Sequence, residues 1–446
     1  MSTPLAPRPD GLVARRLASA VIEDVVKRHL PLDDRLEKLS QDPAFVSLQA
    51  NDRGLTRAIA TVALRRYGLI RHILAEKLTR GFPPNCGRLE SFLIAAAAQI
   101  LVLKTAPHAA VDTAITLIRE DKHARHFADL ANAVLRRIAA ERDALLSHVD
   151  PLRVDTPLWL AERWIRSYGE ATASTIATMH REEPSVDVSV KSEAEAWADR
   201  LGAIVLPTGS LRLTNRTAIP LLPGFAEGEW WVQDAAAAIP ARLLKAMPGQ
   251  RILDLCAAPG GKTAQLAITG AAITAVDRSA SRMAVLQENM LRLKLAITTE
   301  VSEATAFTSA DLFDGILLDA PCSATGTIRR HPDVAWGKTL QDVVKLANLQ
   351  QRLLDHAATL LRLGGTLVYA SCSLEPEEGE QQINRFLERH PGFKRQVLAP
   401  AEVAGCAELL TPVGDLRCLP SHWPNAVDRL AGMDGFFASR LVRESH

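Results

Sequence analysis

Leu253-Asp254-Leu255-Cys256-Ala257-Ala258-Pro259-Gly260-Gly261-Lys262-Thr263 is an apolar run that passes through a glycine-rich turn into a helical stretch. A short apolar run bounded by glycine reads as a buried strand. In open α/β sheets ligands bind beyond the carboxyl ends of the strands, where glycine lets the backbone come close and the next helix offers free N–H groups. The turn has neither the Gly-x-Gly-x-x-Gly of dinucleotide sites nor the Gly-x-x-x-x-Gly-Lys-Ser/Thr of Walker-type phosphate sites, so both readings are demoted.

Toward the C-terminus, apolar runs at 272–277, 313–319 and 365–371 alternate with amphipathic stretches at 281–293 and 340–363. Such alternation predicts βαβ units and a parallel, doubly wound sheet. Asp277 ends the second strand about 20 residues after the glycine turn, where a carboxylate accepts both ribose hydroxyls of a nucleoside. A strand-terminal cap is the plainer alternative. The fourth strand ends in Asp319-Ala320-Pro321-Cys322-Ser323-Ala324-Thr325-Gly326 and the fifth in Tyr369-Ala370-Ser371-Cys372-Ser373, so both thiols should reach one rim of the sheet. Together they suggest thiolate chemistry beside a nucleoside pocket. Singly, each also reads as a buried structural cysteine.

Toward the N-terminus, residues 12–146 show apolar residues three and four apart and predict five to seven helices, with Asp52 as the N-cap of a stretch reaching Lys77. Residues 1–145 carry 22 Lys+Arg against 16 Asp+Glu, leaving 30 against 35 for the rest. The excess of arginine is a sign of a phosphate-binding surface, although an ordinary solvated face has the same look. Between the two regions, residues 147–228 read as a small α+β module: a helix over 159–179, a strand at 186–190, a helix at 193–201 and strands near 203–206 and 211–213.

Composition bounds the rest. Six cysteines in 446 residues, without a Cys-x-x-Cys pair, are too sparse for a disulfide framework or a zinc site. Free thiols are expected, with Cys86, Cys406 and Cys418 in polar loops. The longest apolar stretch, 92–103, is 12 residues, short of the roughly 20 that cross a bilayer, and reads as a buried helix. The first ten residues lack a basic segment followed by an apolar one. A cytoplasmic protein without membrane or metal is the expectation.

Asp52-Arg53, Tyr67-Gly68 and Ala131-Asn132-Ala133-Val134-Leu135-Arg136-Arg137 resemble the NusB-like RNA-binding domain. The 256–262 loop, Asp319-Ala320-Pro321-Cys322-Ser323, Ile328-Arg329-Arg330-His331-Pro332-Asp333, Ser371-Cys372-Ser373 and Asp434-Gly435-Phe436-Phe437 resemble the bacterial small-subunit ribosomal RNA cytosine-5 methyltransferases of the Sun/Fmu (RsmB) type. The resemblance covers nearly the whole chain. It implies an all-α NusB-like domain at 1–146, a small α+β linker module at 147–228 and a Rossmann-like class I methyltransferase domain at 229–446.

The resemblance also implies an activity: transfer of a methyl group from S-adenosyl-L-methionine to carbon 5 of a cytosine in 16S ribosomal RNA of the small subunit; separately, a monomer is expected. Carbon 5 is a poor nucleophile, and a thiolate added at carbon 6 makes it an enamine-like one. Cys372 is implied as that nucleophile and Cys322 as the residue assisting release of the methylated RNA. Asp319 would polarise the ring edge, with Lys262 organising that corner. Cofactor contacts are implied for Cys256, Ala257, Ala258, Pro259, Gly260, Gly261, Lys262, Asp277, Asp319 and a carboxylate after the third strand. The last is usually Asp, and here Glu303 is offered. Arg329, Arg330 and His331 are expected to meet RNA phosphates, with a solvated loop as the alternative. Two rival functions stand beside this one: a transfer RNA cytosine-5 methyltransferase, disfavoured by the N-terminal helical domain, and a non-catalytic NusB-like RNA-binding factor, disfavoured by the intact Cys322 and Cys372.

Overall fold

The computed structural model describes residues 11–147 and 149–445; residues 1–10, read above for a leader, lie outside them. The chain divides into two compact units, one of Met1–Arg181 with His331–Gly337 and the other of Glu182–Arg330 with Lys338–His446. Among the described residues no helix is long and apolar enough to cross a membrane.

The first unit is helical. Its centre is Leu89–Leu101, almost every side chain of which is buried, as expected of a helix that is apolar all round. Leu12–Arg28, Ala50–Arg65, Pro107–Glu120 and Ala128–Ala140 surround it. Helices are more numerous than expected, because short ones such as Pro43–Val46 and Arg142–Leu146 join them and the stretch expected to reach Lys77 is two helices, Ala50–Arg65 and Tyr67–Lys77. Gln49 is the N-cap of the first, and Asp52 stands inside its first turn.

The break at Arg66 has a tertiary cause: Asp155 accepts from Arg66 Nε at 2.9 Å and from the Leu69 N–H at 3.1 Å. Gly68 is required beside it, since a Cβ there would stand 2.0 Å from the Val154 carbonyl oxygen. These contacts tie residues 151–179 to the helical unit, which differs from the boundary at 146 drawn from sequence. The helix expected over 159–179 is itself divided at Gly169, φ 81°, into Leu158–Tyr168 and Glu170–Met179.

The second unit holds two sheets. The smaller comprises β1 (Asp187–Val190), β2 (Ala203–Val205), β3 (Leu211–Leu213) and β4 (Trp230–Val232), antiparallel in the order β2-β3-β1-β4. The larger comprises β5 (Arg251–Leu255), β6 (Ala272–Asp277), β7 (Thr298–Val301), β8 (Phe313–Asp319), β9 (Leu361–Ser371), β10 (Phe393–Arg395), β11 (Leu416–Cys418) and β12 (Phe436–Arg443). Its order is β10-β12-β9-β8-β5-β6-β7, with β11 added to β12. The strands β7 to β9 in this order are parallel, whereas β12 lies antiparallel to β9. Strand order reverses between β5 and β8, and such a switch point opens a crevice at the carboxyl ends. Cys418, expected in a loop, is fully buried in β11, and Cys406 is buried too.

A buried ion cluster joins the parts of this unit. Arg212 of β3 pairs with Asp187 of β1 at 2.7 Å, both fully buried. Arg330 bonds Asp234 and Asp434 and lies 3.7 Å from Asp187. Burial opposes the charge on Asp234, but Arg330 and Arg329 prevail and hold its carboxyl far below the usual range. Removing one partner of such a cluster leaves a buried charge uncompensated. Arg330→Met is therefore expected to destabilise the protein by roughly 3–5 kcal/mol, measured by urea unfolding; a loss within about 0.5 kcal/mol, the range of an ordinary surface change, would refute the assignment.

Candidate active site

Every residue expected at the catalytic and cofactor positions lies in the second unit, at the carboxyl ends of β5, β6, β7, β8 and β9. The 256–262 loop follows β5. Thr263 Oγ1 donates to Asp254 Oδ2 at 2.6 Å, fastening the first turn of the helix Gly261–Ala267 to the strand before it. Burial pushes the Asp254 carboxyl up to about 7. Gly260 takes φ +101°, and a Cβ there would lie 2.9 Å from Leu286 Cγ, so only glycine lets the loop close onto the helix Ala280–Arg292.

Asp277, the last residue of β6, is almost fully buried. Its Oδ2 accepts from the Ala258 N–H at 3.2 Å and its Oδ1 from the Ser279 N–H at 2.9 Å. An ionised carboxylate has about four acceptor positions, so two remain for paired hydroxyls. The Arg282 guanidinium bonds the Ala258 carbonyl oxygen and comes within 3.7 Å of Asp277. The Ser302 N–H donates to the Asp277 carbonyl oxygen at 3.1 Å, which places the exposed Glu303 one residue beyond, on the same rim. A nucleoside fits these groups: a carboxylate ending β6, another after β7, and a glycine turn after β5.

At the other side of the switch point, Lys262 Nζ donates to Asp319 Oδ2 at 2.7 Å and stands 4.8 Å over the Phe436 ring. That ring was quoted above only as part of a motif; nothing in the one-dimensional pattern joins it to Lys262. Asp319 keeps 31% of its side-chain surface exposed. The Cys322 and Cys372 sulfurs lie 3.3 Å apart, both half-buried. The Cys322 hydrogen bond and burial push the Cys372 thiol well above its ordinary value, with Asp319 adding to the rise and Lys262 opposing it. Cys256 is pushed up to about 12, by burial first and then by Asp277 and Asp319. Lys262 opposes the rise at Cys372, whereas at Cys256 three carboxylates, Asp277, Asp319 and Asp254, act against Arg282.

The arginines expected on RNA are placed otherwise. Arg329 is 1% exposed, donates to the Ala431 carbonyl oxygen at 3.2 Å and lies 3.4 Å from Asp434. Arg330 is spent on the ion cluster. Neither can offer its guanidinium to a phosphate without leaving buried carboxylates uncompensated. His331 belongs to the helical unit, where its Nδ1 lies 3.0 Å from Asp33 Oδ2. The helical arginines are partly internal too: Arg15 donates to the buried Gln99 and Arg53 to the Leu48 carbonyl oxygen, whereas Arg136 and Arg137 stay exposed.

Comparison with known proteins adds two family matches: "16S rRNA methyltransferase RsmB/F" over residues 241–442 and the NusB family over 12–140. The chain is 31% identical to ribosomal RNA small subunit methyltransferase B of Cronobacter sakazakii, covering 96% of this chain and 98% of that one. It is 33% identical to the protein of the same name from Pseudomonas putida, covering 97% and 98%. Among solved structures, one chain matches with a TM-score of 0.73 and 23% identity over 99% of both chains, a likeness of fold alone. A methyltransferase homologue from Pyrococcus horikoshii matches with a TM-score of 0.52 and 26% identity, over 64% of this chain and 94% of that one.

The thiol pair yields a pH prediction. A thiol held above its ordinary value is protonated at neutral pH, and only the thiolate is nucleophilic. Alkylation of Cys372 by iodoacetamide is therefore expected to quicken steadily as pH rises from 7 to 9. Cys322→Ala removes the largest upward push and shifts that profile to lower pH. Peptide mass spectrometry of the alkylated protein reads both; an unshifted profile in Cys322→Ala would overturn the assigned cause.

Proposed function

This chain belongs to the family of 16S ribosomal RNA methyltransferases RsmB/F, and from that premise we propose that it methylates carbon 5 of a cytosine in small-subunit ribosomal RNA, with Cys372 as covalent nucleophile. The observation that carries this reading is the contact between the Cys322 and Cys372 sulfurs at the ends of adjacent parallel strands, beside the Lys262–Asp319 pair. S-adenosylmethionine, when bound, supplies an electrophilic methyl group on a sulfonium. The 256–262 loop, Asp277 and Glu303 would hold it.

The protein's own residues do the rest. The Cys372 sulfur bonds carbon 6 of the flipped base as its thiol proton passes by way of Asp319 to the ring nitrogen, and the displaced π electrons make carbon 5 nucleophilic. Asp319 accepts from the exocyclic amine and relays that proton, so that no anion builds up on the ring, and Lys262 holds Asp319 in place. After carbon 5 is methylated its proton passes to water, the carbon–sulfur bond breaks, the ring-nitrogen proton returns by way of Asp319 to the departing sulfur and the double bond reforms. Cys322, in contact with the departing sulfur, assists that elimination. RNA is read mainly where bases are unpaired, and the helical unit, through exposed side chains such as Arg136 and Arg137, would supply phosphate contacts.

Two substitutions and one map test this. Cys372→Ala is expected to lower methyl transfer by several orders of magnitude, the scale of losing a covalent nucleophile. Cys322→Ala is expected to accumulate a protein–RNA adduct that survives denaturing electrophoresis. Bisulfite mapping of cells lacking the protein should show a mark lost from small-subunit ribosomal RNA; a loss confined to transfer RNA, or a Cys372→Ala protein with full activity, rejects the reading.

A further inference from the structure

Behind the two sulfurs lies a buried polar group that the reaction above does not use. Each cysteine is followed by a serine, and the Ser323 and Ser373 hydroxyl oxygens are 3.1 Å apart, both buried. The Ser323 N–H donates to Glu378 Oε1 at 2.9 Å, and its hydroxyl donates to Glu378 Oε2. Gln350 Nε2 donates to the same Oε1 at 3.0 Å and to the Pro321 carbonyl oxygen at 2.9 Å. The Tyr369 hydroxyl donates to the Glu378 carbonyl oxygen at 2.7 Å. On the other strand, Ser373 Oγ accepts from the Glu375 N–H at 2.9 Å, and Thr325 Oγ1 accepts from the Leu374 N–H at 2.9 Å.

Glu378 has no exposed surface and so cannot touch RNA or cofactor. Burial pushes its carboxyl up, while hydrogen bonds from Ser323 and Ser373 pull it back. Burying a carboxylate is costly unless its acceptor positions are filled, and apolar side chains of similar volume would hold the loops together at lower cost. What an apolar plug would not do is fix direction. Glu378 grips the backbone and the side chain of the residue after Cys322, and Ser323 in turn grips the residue after Cys372.

We propose that Glu378, acting through Ser323 and Ser373, is a positioning residue that sets the separation of the Cys322 and Cys372 sulfurs. The catalytic consequence rests on the thiol roles given under Proposed function: with the sulfurs apart, Cys372 still adds to the base but Cys322 is out of place for release. The geometric claim stands without them.

Phenylarsine oxide separates the two. This trivalent arsenical joins two thiols, with loss of water and no change of oxidation state, only where the sulfurs are near contact. Intact-mass kinetics on the full chain are expected to show rapid bridging of Cys322 and Cys372 in the unaltered protein. Glu378→Ala and Ser323→Ala are expected to slow it by roughly a hundredfold, the scale of a misplacement of about 1 Å. Glu378→Gln is expected to stay near the unaltered rate, because its carbonyl oxygen accepts from the Ser323 N–H and its amide donates to the Ser323 hydroxyl. A merely structural role would lower thermal stability in Glu378→Ala and leave the bridging rate unchanged in the folded fraction, and that result overturns the proposal. Should Glu378→Ala not fold, Ser323→Ala decides by the same measure. With RNA and cofactor, both folded variants are expected to accumulate the adduct as Cys322→Ala does. If the unaltered protein methylates RNA while no variant, Cys322→Ala included, ever traps an adduct, the thiol roles fail while slowed bridging still upholds the positioning.

Discussion

The parallel pairing of β8 with β9, in a register that sets Asp319 opposite Ala370, is the constraint from which the site follows. Parallel neighbours end on the same edge of a sheet, so the loops after them leave side by side. Two backbone bonds then hold these loops together, the Ala320 N–H to the Ala370 carbonyl oxygen and the Gly326 N–H to the Cys372 carbonyl oxygen, while Gln350 of the helix Leu340–Leu360 holds Pro321. Residues 50 apart in the chain thereby bring their sulfurs into contact. The reversal of strand order between β5 and β8 sets the glycine turn next to this pair, which is why a nucleoside donor site and a thiol site share one rim.

Glycine at two positions keeps that rim closed. A Cβ on Gly326 would meet the Gly435 carbonyl oxygen at 2.1 Å, and the Gly435 N–H donates to the Gly326 carbonyl oxygen at 2.7 Å. The segment before β12 is thus laid against the Cys322 loop, with Asp434 held by Arg330 on one side and Phe436 over Lys262 on the other. The ion cluster and the active site are in this way parts of one construction. Charges buried together set the backbone that carries the uncharged contacts.

A fold is legible in its sequence where the pattern is local. The runs at 272–277 and 313–319 are β6 and β8 to the residue, because a buried strand must be apolar and must stop where polar residues begin. It is not legible where a distant partner decides. Arg66 interrupts a helix-forming stretch because Asp155 takes its side chain, and no windowed pattern contains both. Arg329 and Arg330 have the composition of a phosphate site, yet their carboxylate partners Asp234 and Asp434 stand about a hundred residues away along the chain.

Residue type and short spacing were enough to read the alternation of strand and helix, the glycine turn, the carboxylate ending β6 and the two cysteines at strand ends. It took the folded chain to bring those sulfurs into contact, Lys262 onto Asp319 and Phe436, and Glu378 behind both thiols. Hydrogen bonds and ion pairs act over a few ångströms of space, and distance along a chain says little about that until the sheet has set its strand order.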